Sequence, residues 1–223
     1  DPVHMIPVLA ICDPEITIGL PKSLTAACGV DALTHCIEAY TVQLHQPITD
    51  ALALKGISMI AENLEKAYEN GEDREARRNM MIASTIGGMA FISSNVGAVH
   101  AFAETVGAWF DTPHGVANSL FLPYIMEFNI PACPERFADI ADAMGIEREE
   151  SMSDEQYALK AVEYVKALNR KLNIPTIKEI KGITEERFEA IAERSANNVL
   201  SNDNARKITK EDYLELLKKA YNE

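Results

Sequence analysis

Cysteine is scarce and scattered: Cys12, Cys28, Cys36 and Cys133 are the four in the chain, and none stands in a C-x-x-C pair. That spacing excludes a disulfide framework and a cysteine-rich zinc site, and fits reduced thiols in a cytoplasm. Long apolar runs are also missing. The longest, Met5–Cys12 and Leu120–Met126, fall far below the ~20 residues of a membrane span. No basic, apolar leader opens the chain, so export is not expected. Positive charge is outnumbered, with 21 Lys and Arg against 34 Asp and Glu and a net charge of −13. Nucleic acid and anionic membrane, which reward clustered cations, are poor partners for such a surface. Neither a G-x-G-x-x-G fingerprint nor a Walker-type loop occurs, and the glycines stand singly apart from Gly87-Gly88. The chain therefore carries no recognisable phosphate cradle of its own. Finally, it opens Asp1-Pro2-Val3-His4 without an initiator Met, which is expected of a piece of a longer protein.

What is present is mostly helical periodicity. Ile6–Cys12 is short, apolar and partly β-branched, is closed by Asp13-Pro14, and predicts a single buried strand. Cut off from a sheet, such a strand is expected to pair with another copy, pack on helices or lose order. From Pro21 onward apolar residues recur at helical spacing, predicting helices over 21–40, 47–68, 74–92 and 99–109, with another starting near His114. Asp111-Thr112-Pro113 forces the break before the last of these. Gly87-Gly88 inside a helical pattern reads as close helix packing or as backbone approach to a ligand. Amphipathic helices follow over 135–144, 153–172, 184–197 and 209–221, the last started by a capping box of Thr209 and Asp212. The fold class is all-α with one orphan strand.

The chemistry sits in the histidines, of which there are five. Asp31 and His35 lie at i and i+4 in GVDALTHCIEAY and project from one helix face. Their helix is otherwise apolar, so a charged Asp31 needs a partner there. His100 and Glu104 share a face by the same spacing in AVHAFAETVGAWFDTPHGVANS, and His114 opens the next helix after Pro113. Two helix ends can thus converge. Three imidazoles and one carboxylate suit a divalent Fe²⁺ or Zn²⁺. His4, near the terminus, and His45, in a polar turn, read as surface residues.

GVDALTHCIEAY and VHAFAETVGAWFDTPHGVANSLFLP resemble the two signature regions of the iron-type (group III) alcohol dehydrogenases. The likeness runs from ICDPEIT-x-x-LP to the final NAR-x-x-T-x-ED. It implies the helical C-terminal domain of a dehydroquinate synthase-like fold, with residues 1–15 the remnant strand of an N-terminal α/β domain and 16–223 the metal-binding domain. It further implies Asp31, His35, His100 and His114 as ligands of Fe²⁺, or of Zn²⁺ by substitution. The implied reaction interconverts alcohols with aldehydes or ketones using NAD or NADP carried by the N-terminal domain, and a homodimer is possible. Phe91 resembles an aromatic of the family's substrate pocket, although plain core is an equal reading. Glu104 stands where many members have a further histidine, and is open as a base, a partner to His100, an extra ligand or a solvated carboxylate. Asn204-Ala205-Arg206 replaces a frequent Asn-Pro-Arg. The alternatives are a glycerol dehydrogenase-like relative, a metal-dependent hydrolase using Glu104 as base, and a metal-free helical domain in which Asp31 and His100 satisfy each other.

Overall fold

In the computed structural model, which describes residues 8–223, each segment follows from its local sequence signals. Nine α-helices form among the described residues: α1 (Lys22–Thr41), α2 (Pro47–Glu69), α3 (Arg74–Ser94), α4 (Ala98–Phe110), α5 (His114–Asn129), α6 (Pro134–Ala143), α7 (Asp154–Lys171), α8 (Phe188–Ala196) and α9 (Lys210–Asn222). The starts are chemically explicit. Asp73 accepts the Ala76 N–H at 3.0 Å ahead of α3, and reciprocal capping boxes join Ser153 with Gln156 and Thr209 with Asp212. These caps satisfy N–H groups that a helix cannot satisfy itself. Gln46 and Thr49 make a further box ahead of Pro47 that sequence reading did not anticipate.

Two expectations are corrected. The segment 184–197 is not one helix: a 3₁₀ turn over Glu185–Arg187 precedes α8. There the Arg187 N–H reaches back to the Thr184 carbonyl at 2.9 Å, the tighter i→i+3 closure common at helix ends. The orphan strand does not form among the described residues. Ile6 and Pro7, like His4, lie outside them, while Val8–Cys12 carry no regular structure and are exposed. A strand needs a neighbouring ladder for its backbone groups, and none of the described residues supplies one. Contact with the helices is made at Cys12, whose Sγ lies 3.4 Å from Thr85 Oγ1 on α3.

Helix α1 is the hub, packing against α2, α3, α5 and α6. Its Leu33 and Ile37 are buried with Ile57, Ile60 and Leu64 of α2 in one continuous core, each such side chain worth roughly 1.5–3 kcal/mol in transfer from water. Gly87 packs on α1 beside His35, which gives it the packing reading, whereas Gly88 faces open space and packs on nothing. Between α3 and α4 the chain turns by 106° through Asn95, which takes a left-handed φ of 74°. That corner delivers the first turn of α4 onto α1. No single helix among the described residues is long and apolar enough to cross a membrane.

Candidate metal centre

Three helix segments meet at one point. Asp31 and His35 come from the middle of α1, His100 from the first turn of α4, and His114 from the first residue of α5. Close approach of α5 to α1 depends on Gly115, where a Cβ would run into the Ala27 carbonyl and meet Asp31 Cβ at 3.3 Å. Ligand atoms of Asp31, His100 and His114 all lie within 4.8 Å of one another, the one such grouping among the described residues. His35 joins through His100, the two Nε2 atoms being 3.1 Å apart.

The hydrogen bonds fix what these rings present. His35 Nδ1 lies 2.9 Å from the Asp31 backbone carbonyl, and His100 Nδ1 lies 2.6 Å from the Glu38 carboxylate. A carbonyl and a carboxylate only accept, so both Nδ1 atoms carry the hydrogen and both neutral rings present a bare Nε2. Two bare nitrogens at 3.1 Å repel unless a proton or a metal ion lies between them. His114 Nε2 stands 3.6 Å from Asp31 Oδ1, adding a third imidazole beside a carboxylate. The donor set thus fits a divalent ion by its own chemistry.

Asn118, which sequence reading missed, completes the cluster. Its Nδ2 donates to Asp31 Oδ1 at 2.5 Å and lies 3.2 Å from His100 Nε2 and 3.1 Å from His114 Nε2. Its Oδ1 is buried with no partner. Its signal in the sequence was the i, i+4 spacing from His114.

Electrostatics divide the rings. Burial and the neighbouring His100 push His35 below the ordinary histidine value. Burial works the same way on His100, yet the hydrogen bond and charge of Glu38, with Asp31 and Glu104 further out, lift it above that value. Glu104 itself is exposed and accepts the Asn198 amide at 2.6 Å. The carboxylate that binds His100 is therefore Glu38, not Glu104. Phe91 lies against the His35 ring, the two centroids 4.5 Å apart. His45 is exposed and pairs with Asp50 at 3.4 Å, away from the cluster.

Comparison with known proteins gives the same geometry a lineage. Residues 25–221 match the profile of the Fe-containing alcohol dehydrogenase family, C-terminal. Alcohol dehydrogenase 4 of Saccharomyces cerevisiae is 42% identical over 221 residues, covering 98% of this chain and 56% of the relative. The 1,3-propanediol dehydrogenase of Klebsiella pneumoniae is 40% identical over 216 residues, covering 97% of this chain and 56% of the relative. The chain thus spans about half the length of the curated relatives it matches. Among solved structures, the alcohol dehydrogenase from Oenococcus oeni superposes with a TM-score of 0.90 at 40% identity, over 94% of this chain and 54% of that one. By sequence, by fold and by extent, this chain belongs to the Fe-containing alcohol dehydrogenase family and matches its C-terminal part.

Proposed function

We propose that this chain is the metal-binding half of an NAD(P)-dependent alcohol dehydrogenase interconverting alcohols with aldehydes or ketones. The observation that carries the reading is the pair of bare Nε2 atoms of His35 and His100, 3.1 Å apart, closed by Asp31 and His114. Asp31, His35, His100 and His114 would hold one divalent ion, Fe²⁺ with Zn²⁺ an acceptable substitute. When bound, the ion supplies Lewis-acid polarisation of the substrate oxygen.

The chain's own residues do the rest of the positioning. One carboxylate among the four donors leaves a divalent centre net positive, suited to developing negative charge on oxygen. Phe91, stacked beside His35, gives an apolar wall for the carbon part of a small alcohol. The His114 side chain is 49% exposed, so the cluster opens to solvent on the α5 side, where substrate would enter. NAD or NADP would be carried by an N-terminal α/β domain, to which residues 1–15 would contribute a strand, and 16–223 form the metal-binding domain. A dehydrogenase of an alcohol or a small diol agrees with the names of the relatives.

The test is metal uptake by the chain after anaerobic dialysis against Fe²⁺ or Zn²⁺, with His100→Ala as control. One equivalent in the wild type, weakened in the variant by about 100- to 1000-fold, is expected if each of the four ligands carries a quarter of a typical site's free energy. A wild type that takes up neither ion would overturn the ligand assignment. The two-domain division predicts little NAD(P)-dependent turnover by these residues alone, and robust turnover would refute it.

A further inference from the structure

We propose that Glu38 is the positioning residue of the centre: by accepting the Nδ1 hydrogen of His100 it locks the tautomer and ring angle that aim a bare Nε2 at Asp31 and His114. This inference rests on the reading of His100 as a ligand.

Glu38 follows Asp31 by two turns of α1 and is 3% exposed. Its two oxygens grip the same turn of α4. Oε1 accepts the Val99 N–H at 2.8 Å, while Oε2 accepts from His100 Nδ1 at 2.6 Å and lies 3.4 Å from the His100 N–H. Ring and backbone of one residue are therefore referenced to one carboxylate. Gly97, the residue before α4, makes the approach possible, since a Cβ there would crowd Glu38 Oε1 at 3.1 Å.

Capping alone does not explain a glutamate here. The free N–H groups of a helix start are served by any short acceptor, commonly a neutral Ser, Thr or Asn. A buried carboxylate instead costs several kcal/mol to desolvate, and among the described residues Glu38 has no Lys or Arg partner. Helix α4 offers its N-terminal dipole, and His100 offers one hydrogen. What only a carboxylate provides is an obligate acceptor opposite Nδ1 with a charge that strengthens the Nε2 lone pair as a metal ligand.

Glu38→Gln separates this role from capping, because it keeps the shape and one acceptor oxygen. With that oxygen on the Val99 N–H, the new amide NH₂ faces His100 Nδ1. That nitrogen must then accept, and the ring hydrogen moves to Nε2, where it points at the other ligands. The expected result is a Co²⁺ affinity lower by about 10- to 100-fold, altered Co²⁺ visible bands, and an unchanged far-UV circular dichroism spectrum. Nitrogen-15 NMR of the His100 ring in the ion-free protein should report Nδ1–H in the wild type and Nε2–H in the variant. A Co²⁺-binding wild type whose Glu38→Gln variant binds equally well, with the same bands, overturns the proposal and leaves the metal centre standing. A wild type that binds no Co²⁺ removes the metal centre and this role together. Should the variant fail to fold, the wild-type spectrum still decides: an Nε2–H ring at His100 overturns the proposal.

Discussion

Helices α7 and α9 and helices α1 and α4 obey opposite rules of burial. In α7 the buried positions Tyr157, Ala158, Ala161, Val162, Val165 and Leu168 form one stripe, and in α9 Tyr213, Leu217 and Ala220 do the same. Their charges lie outside, where water solvates them at no cost. Helix α1 is instead buried on nearly every side from Thr25 to Thr41, Glu38 included, and α4 buries His100 within an apolar turn. A polar group on an all-round buried helix must find protein partners or destabilise the fold. In the middle of the molecule those partners are one another: Asp31, His35, His100, His114 and Asn118 converge on one point, and Glu38 holds the far nitrogen of the His100 ring. The peripheral helices keep their polar groups in water, whereas α1 carries polar side chains through the core it organises.

That division can be broken from either side. Phe137 in α6 is fully buried, and Phe137→Ala should cost about 3–5 kcal/mol by denaturant unfolding while leaving Co²⁺ affinity unchanged in the folded fraction. A matched loss of affinity would mean that the periphery and the centre are not separable. Gly115→Ala acts in the reverse sense. The added methyl meets the Ala27 carbonyl, so α5 must move off α1 and carry His114 away from Asp31. An overpacking cost of roughly 1–3 kcal/mol should come with weakened ion binding, and wild-type binding would show that His114 is dispensable. The smallest effect belongs to Thr209→Ala, which removes the capping oxygen for the Asp212 N–H. It should lower stability by ~1 kcal/mol in thermal unfolding and leave the centre untouched.

The two regions also differ in how legible they were. The C-terminal helices were readable because their signals are local: an apolar stripe, Thr209 with Asp212 as a cap, and charge on the far side. Even there, the split of 184–197 into a 3₁₀ turn and α8 escaped, since propensity does not distinguish i→i+3 from i→i+4 closure in one turn. The strand expected at Ile6–Cys12 failed over Val8–Cys12, because a strand is a property of a pair and the described residues hold no second member.

By itself, the sequence determined the helical class, the capping box of Thr209 and Asp212, the break at Asp111-Thr112-Pro113, the i, i+4 pairing of Asp31 with His35, and the motifs that placed the chain in its family. Only the tertiary structure decided which carboxylate serves His100. Glu104 lies on the same helix at the right spacing, yet it points out to Asn198, while Glu38 reaches in from α1. The facing bare nitrogens of His35 and His100 likewise have no local signature, and the i, i+4 spacing of Asn118 from His114 does not say that its amide reaches Asp31 and His100. The physical reason is that helical spacing fixes a side chain's direction around its own axis, whereas a contact between helices depends on how axes cross. That crossing is set by Gly115 against Ala27 and by the 106° corner before α4, and neither distance can be read along a single helix.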